Sequence, residues 1–476
     1  MAASSALPAS IPAAVRALCA RLVRAGYRAW IVGGCVRDLL LRDLRLEGGP
    51  GGLLPSEHGA TGEGVRNDWD IATDARPEDV QRVFPRVIPT GIQHGTVTVL
   101  LDGQGYEVTT LRGESAYSDG RRPDSVHFVD DIVADLARRD FTINAIAFDP
   151  AMDTLIDPFD GAQDLRLCLL RAVGDPRERF AEDGLRVLRA ARFVATLEVT
   201  LEAETASAIE PSLASYRKVS AERIRDEWVK SMKAARPSRA FEIMKDHGLL
   251  AITAPEMLES VGCEQNRYHA FDVWGHAMQC LDACPHSPTL RVAGLLHDVG
   301  KPRSRAFSDK TEDYTFYEHE RIGAEIAEPL LERLRFSNEE RARIVLLVRH
   351  HILCWDPSWS DAAVRRWLRR VGPDLVEDLY ALNRADVLAK GRDASEDLER
   401  LAGLRAHVER VLSAGAVLGV KDLAITGQDL MKLGLRPGPL FGEILRTLLD
   451  EVVDDPAKNV PEILAVRARE IAATHD

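Results

Sequence analysis

The 476-residue sequence predicts an α+β chain, a head with a mixed sheet and helices followed by a mostly α-helical remainder. Three observations predict it. Short apolar stretches at 29–32, near 94–101 and at 106–111 read as strands. Among them, 11–24, 35–41 and 77–84 read as helices from the spacing of their apolar residues. Beyond about residue 240 the texture changes to long helices. A chain of this length exceeds one ordinary hydrophobic core, and length alone gives about three domains.

Composition bounds the function classes. Hydrophobic residues at 45% and charged residues at 28% describe a soluble globular protein. No apolar run approaches the roughly 18 residues of a membrane span. Arg16, Arg21 and Arg24 interrupt the N-terminal stretch, which argues against a secretory signal. The 7 cysteines form no C-x-x-C pair, and Cys280 and Cys284 sit in no metal-type cluster, so reduced thiols and a cytoplasmic location are expected. The net charge of −13 argues against nucleic acid as a partner, because Lys and Arg bind phosphate backbones. Local patches decide, however, and dense basic runs at 138–139, 186–192, 217–218 and 365–370 leave room for a folded RNA.

The helix at 11–24 ends at Gly26, and the strand 29–32 runs into Gly33-Gly34. Glycines there let backbone N–H groups approach a triphosphate, and the dipole of the following helix adds to the attraction. A bare Gly-Gly turn is most often only a turn; Arg37 and Asp38 directly after it strengthen the phosphate reading. The stretch 46–66, rich in Gly and Pro and without periodicity, reads as a surface loop inserted between two strands. Asp68-Trp69-Asp70 follows, and two carboxylates two positions apart on a strand point to one face. An isolated pair of this kind is usually a solvated edge. Trp69 and Ile71 place this one in a strand that reads as buried, where the acids repel each other unless a cation neutralises them. Mg²⁺, held by carboxylates and substrate phosphates, fits.

Glu107, on the strand 106–111, either faces solvent or supplies a third carboxylate. The polar stretch 113–129 reads as a flexible loop. In 135–145, Arg138 and Arg139 stand beside Asp140 and Asn144 on one amphipathic stretch. Neighbouring arginines are often a solvated face; beside a metal–phosphate site they are triphosphate clamps. At 182–192 a helix opens in which Asp183, Arg186, Arg189 and Arg192 recur every third position and share one face. An ordinary ion pair is one reading. In the other, the carboxylate accepts from the amine of cytosine or adenine while the arginine donates to the neighbouring acceptors, so the protein reads a base edge without a nucleic-acid template.

Taken together, Gly33-Gly34…Arg37-Asp38, Asp68-x-Asp70, Arg138-Arg139-Asp140-Phe141…Asn144-Ala145 and Glu182-Asp183-x-x-Arg186, in order over about 15–235, resemble the class II tRNA nucleotidyltransferases. These are the CCA-adding enzymes, a family that also contains bacterial poly(A) polymerases. The resemblance implies a polymerase-β-like nucleotidyltransferase head in which Asp68 and Asp70 carry two Mg²⁺ ions; Glu107 is the expected third carboxylate from its place on the strand 106–111. It implies that Arg138, Arg139 and Asp140 contact triphosphate and ribose, and that Asp183 with Arg186 selects CTP and ATP. Gly33, Gly34, Arg37, Asn144, Arg189 and Arg192 complete the expected nucleotide-binding set. The insertion at 46–66 departs from the family, whose members usually have a short link there. The helix at 218–235, with Arg223, Arg225 and Trp228, continues the neck.

Six of the 13 histidines fall between His276 and His351. His297-Asp298 places two ligands at the end of an apolar helix, and His276 upstream and Asp386 downstream can close a site. A lone histidine on a helix is more often core or surface than ligand, and the number here changes that weighing. The set is similar to that of HD-domain phosphohydrolases, and His319 and His350 match the extra ligands of HD domains that hold two metals. His350 and His351 cannot both face one way on a helix. The imidazole–carboxylate mixture suits Mn, Fe, Ni or Zn better than Ca. A metal there would activate water against a phosphoester. By resemblance, chains that join both modules are associated with 2′,3′-cyclic phosphodiesterase, 2′-nucleotidase and phosphatase activity.

The expected organisation is a head at 1–170, a helical neck with the nucleotide-selecting motif at 171–240, an HD domain at 241–395 and a helical tail at 396–476. In the tail, Thr426 and Asp429 have capping-box spacing, and the turn Gly434-Leu435-Arg436-Pro437-Gly438-Pro439 resembles tRNA-binding elements of some CCA-adding enzymes. The expected reaction is attack of a tRNA 3′-hydroxyl on the α-phosphate of CTP or ATP, with the loop near 117–123 ordering as the primer end grows. Expected partners are tRNA, CTP and ATP, with no membrane; monomer and homodimer both stay open. Three alternatives stand beside this reading: a poly(A) polymerase, an enzyme adding only CC or only A, and an HD phosphohydrolase with an inactive head. Intact Asp68 and Asp70 argue against the last.

Overall fold

The computed structural model describes residues 10–46, 69–92, 95–113 and 128–474. Asp68, positions 47–66 of the expected insertion and the 117–123 loop lie outside them. The chain divides into two compact units, Met1–Pro255 and Glu256–Asp476.

In the first unit, β1 (Ala29–Val32), β2 (Asp70–Thr73), β3 (Val87–Gly91), β4 (Thr96–Leu101), β5 (Gln104–Thr110), β6 (Ala147–Asp149) and β7 (Thr154–Ile156) form one sheet in the order β3-β4-β5-β2-β1-β6-β7. The sheet is mixed, as expected: β2 pairs parallel to β5 and antiparallel to β1. The strands β3, β6 and β7 are additions to the sequence reading. Their exposed or short runs carry no apolar alternation to find, with β3 showing mostly exposed residues. Trp30, Val32 and Ala72 share one face of the sheet and pack with Leu111, Leu136, Ala145 and Ala147 into its core. Asp70, first in β2, lies on that same face at the end where the core gives way to solvent.

Helices beyond the sheet lock onto it through Phe141, which is fully buried. Its ring meets Phe193 of the helix Leu185–Thr196 at 5.7 Å and Phe180 of the helix Pro176–Glu182 at 6.5 Å, both edge-on. Trp228, on the helix Ala221–Ser231, meets Phe241 at 5.0 Å in the same geometry. The stretch 182–192 is not one helix. Pro176–Glu182 ends before Asp183, and the next helix starts at Leu185.

In the second unit, the helices Val273–Ala283, Pro288–Leu296, His319–Arg333, Asn338–His350 and Val376–Ala389 bury their apolar faces together. A capping box between Ser337 and Glu340 starts the fourth of them. In the tail, Ile425, Leu430, Ile444, Leu448 and Leu464 belong to one core cluster, and Thr426 with Asp429 forms the anticipated capping box. The basic run at 365–370 is largely structural: Arg365 donates to the Val453 carbonyl at 2.5 Å, Arg366 pairs with Asp454 at 2.5 Å, and Arg369 pairs with Asp450.

Candidate active sites

The first unit holds a cleft of about 500 Å³ lined by residues of β1, β2, β4 and β5 and by the neck helices. Asp70 and Glu107 are register partners across the parallel β2–β5 ladder, so they stand on one face about one strand spacing (~4.8 Å) apart. Both line the cleft. Glu107 is exposed and is among the residues that line the cleft. Asp68 stands two positions before Asp70, outside the described residues. Two facing carboxylates in a cleft that also holds arginines suit a hard divalent cation with oxygen ligands, as Mg²⁺ is.

The turn after β1 is built around Gly33, whose φ of +77° is the left-handed conformation that glycine adopts without strain. A Cβ there would also stand 2.7 Å from Arg139 Nη1. The Gly33 N–H already donates to the Ile146 carbonyl at 3.2 Å, so a phosphate would meet the first-turn amides of the helix Gly34–Leu46 instead. Arg37 donates to Asn144 at 2.7 Å and pairs with Asp38 at 2.8 Å. Asn144 donates to Asp140 Oδ1 at 3.0 Å, and Arg189 pairs with Asp140 Oδ2 at 2.6 Å. Burial would raise the pKa of Asp140, but the Arg189 charge and the Asn144 hydrogen bond outweigh it and bring it down to about 2.

Arg138 and Arg139 both face Asp135, at 2.6 and 3.5 Å. Asp135 is buried, which alone would raise its pKa; the two guanidinium charges hold it below the usual range instead. Nothing in the sequence reading gave Asp135 this role. Arg139 Nε is buried with no hydrogen-bond partner among the described residues.

The expected face shared by Asp183, Arg186, Arg189 and Arg192 is not formed, because Asp183 precedes the helix that carries the arginines. Its Oδ1 accepts from the Leu185 N–H at 3.0 Å and its Oδ2 pairs with Arg223 at 2.7 Å. Arg186 pairs with Glu182 at 2.5 Å and donates to the Arg138 carbonyl at 2.9 Å. Asp183, Arg186, Arg189 and Arg223 line the cleft; Arg192 does not, and pairs with Glu227 at 2.5 Å.

A second site lies in the second unit. His276 Nε2 is 3.2 Å from His297 Nε2, 2.9 Å from Asp386 Oδ1 and 3.4 Å from Asp298 Oδ2. On the other Asp298 oxygen, His319 Nε2 approaches to 3.3 Å and His351 Nε2 to 3.7 Å. The expected ligand His350 is therefore replaced by His351. Neighbouring helical side chains diverge by about 100°, and His350 lies half-buried among Arg349 and Arg370.

The imidazoles are aimed by backbone. Nδ1 of His297, His319 and His351 lies 2.7, 2.7 and 2.8 Å from the carbonyls of Gly294, Phe316 and Val348, which fixes the tautomer with Nε2 as the ligand atom. Burial pushes His351 down to about 3, helped by the neighbouring His297 and His319. His297, equally buried, is driven the other way to about 10 by Asp298 and Asp386. Nitrogen lone pairs about 3 Å apart repel unless a proton or cation lies between them, and this donor set suits Mn, Fe, Ni or Zn. The ligand atoms fall into two groups, His276–His297–Asp298 and Asp298–His319–His351, each within 4.8 Å, with Asp298 in both.

Among known families, the model for the Poly A polymerase head domain matches residues 29–171, that for the Probable RNA and SrmB- binding site of polymerase A matches 198–260, and that for the HD domain matches 267–391. The chain is 48% identical to the CCA-adding enzyme of Lactobacillus johnsonii over 225 residues, covering 47% of this chain and 51% of that protein. In that alignment the chain spans about half the length of the relative. With the CCA-adding enzyme of Limosilactobacillus fermentum the identity is 33% over 479 residues, covering 98% of each. The solved structure of the Bacillus stearothermophilus CCA-adding enzyme in complex with CTP is similar at a TM-score of 0.69 and 26% identity, over 97% of this chain and 98% of that one.

Proposed function

The chain belongs to the CCA-adding enzyme family, nucleotidyltransferases that here carry an HD domain, and we propose that it builds the C-C-A end of tRNA from CTP and ATP without a nucleic-acid template. The observation that supports this best is the Asp70–Glu107 pair, set in one cleft with the Gly33 turn and the arginines. Asp70, with Asp68 before it and Glu107 beside it, would hold Mg²⁺. Magnesium bound there supplies positive charge that eases loss of the 3′-hydroxyl proton and neutralises the leaving pyrophosphate.

The protein's own groups do the rest. Arg37, Arg138 and Arg139 clamp the triphosphate, with Arg139 Nε as the donor without a partner among the described residues. Asp140 and Asn144 hold Arg37 and Arg189 in place. Asp183 accepts from the amine of cytosine or adenine and Arg186 donates beside it, with Arg223 as the counter-charge that positions Asp183. The HD site, held by His276, His297, Asp298, His319, His351 and Asp386, hydrolyses phosphoesters such as 2′,3′-cyclic ends; a metal there supplies an activated water. The enzyme works in the cytoplasm.

Asp70→Ala should abolish incorporation of both nucleotides into tRNA while leaving hydrolysis of a 2′,3′-cyclic phosphate intact, and His297→Ala should do the reverse. Full incorporation by Asp70→Ala would overturn the assignment of the first cleft. Loss of both activities in either variant would overturn the separation of the two sites.

A further inference from the structure

Beyond the metal-ligand set, the second unit has a cavity of about 520 Å³ that runs from Asp298 and Asp386 to a wall containing Trp355, Leu401 and Leu404. The half-buried indole of Trp355 is held in two ways. Its Nε1–H donates to His407 Nδ1 at 3.3 Å, and the buried His407 donates in turn from Nε2 to Asp361 at 2.8 Å, which fixes the tautomer that leaves Nδ1 free to accept. Its six-membered ring lies against the backbone of Gly403, where a Cβ would come within 2.6 Å of Cη2 and Cζ3. A large flat ring is thus locked in place and still borders the cavity.

The other end of the cavity is where a phosphate would meet the ligand set, beside Lys301, whose Nζ is 2.7 Å from Asp298. A molecule that fits both ends carries a flat aromatic group and a phosphate. We propose that Trp355 is the stacking platform for the nucleobase of a nucleoside 2′-phosphate or 2′,3′-cyclic phosphate whose phosphate lies at the HD ligand set. This rests on reading that site as a phosphohydrolase. The base specifies the orientation of the ribose, and the Trp355–His407–Asp361 chain keeps the platform from turning away.

The test uses the full chain loaded with manganese. Binding of adenosine 2′-phosphate, measured by calorimetry, should weaken about tenfold in Trp355→Ala and no more than about threefold in Trp355→Phe, which keeps a ring to stack on. In hydrolysis, Trp355→Ala should raise KM for adenosine 2′,3′-cyclic phosphate by a similar factor with kcat nearly unchanged. It should leave glycerol 1,2-cyclic phosphate, which has no base, unaffected. His407→Ala should shift KM in the same direction by less. A short RNA ending in a 2′,3′-cyclic phosphate, run beside the free nucleotide, tells which source the site takes; Trp355 dependence in either supports the proposal. Unchanged adenosine 2′-phosphate affinity in Trp355→Ala, or equal losses on the adenosine and glycerol substrates, would overturn it. Trp355-dependent binding in a chain that hydrolyses neither substrate would instead overturn the phosphohydrolase reading and keep the platform.

Discussion

Asp140 accepts from Arg189 through one oxygen and from Asn144 through the other, and Asn144 accepts from Arg37, so one buried carboxylate fixes two arginines of the cleft. Its pKa, raised by burial but lowered more by Arg189 and Asn144, falls from 3.8 to about 2. A folded-state pKa below the unfolded one contributes stability that is full above about pH 4 and is lost as the pH falls toward 2. At about 1.4 kcal/mol per pH unit this amounts to about 2 kcal/mol. Asp140→Asn is expected to lose about that much stability at pH 7 in urea unfolding. The gap to the parent protein should close between pH 4 and 2, and a gap constant with pH would assign the loss to packing. At this scale the sequence was legible where neighbours in the chain are neighbours in space. His297 and Asp298, adjacent in the chain, fall in one group of ligand atoms. It was not legible where a partner comes from afar, as Asp183 takes Arg223, 40 residues on, or where a near neighbour adds a second contact, as Asp135 pairs with both Arg138 and Arg139. Spacing also could not choose between His350 and His351, because that choice depends on the rotation of one helix against its neighbours.

Among the described glycines of the second unit, Gly300 leaves the least room for a side chain. A Cβ there would lie 2.2 Å from the His319 carbonyl and 2.5 Å from the Gly323 amide, so the chain after His297-Asp298 rests directly on the helix His319–Arg333. That contact brings His319 to Asp298. Gly300→Ala must push the helix outward, at a cost of about 1–3 kcal/mol. Manganese titration of this variant should show the Asp298–His319–His351 group weakened more than the His276–His297–Asp298 group, with tRNA extension unchanged. Equal weakening of both would mean the loop itself has moved. The sequence marked the first helix through its apolar spacing and the helix Gly427–Lys432 through the capping box of Thr426 and Asp429. It ran one helix through 182–192, whereas Pro176–Glu182 ends there and Leu185–Thr196 begins; no proline marks the break, where Asp183 accepts from the Leu185 N–H.

Over the whole chain, composition and motif order carried the family and the α+β class, while the net charge of −13 misdirected, since pairing within the protein decides which arginines are left for ligands. The two compact units bind different ligands in the proposed function. Scanning calorimetry should therefore resolve separately shifting transitions. Manganese at a hundredfold excess over its dissociation constant should stabilise the HD-bearing unit by about 2.7 kcal/mol, and CTP with magnesium should move the other. One transition displaced equally by both ligands would overturn this independence.

The β2–β5 ladder sets a last condition on the work of the head. Asp70 and Glu107 are held one rung apart by hydrogen bonds of the main chain, in a sheet whose neighbouring strands pack on both sides. Their separation is a repeat of the backbone, as constant as the pitch of a screw. In the proposed function each successive addition would bring the reacting end of the RNA to the same two carboxylates. The sheet would thus serve as a fixed mark against which the growing end is set.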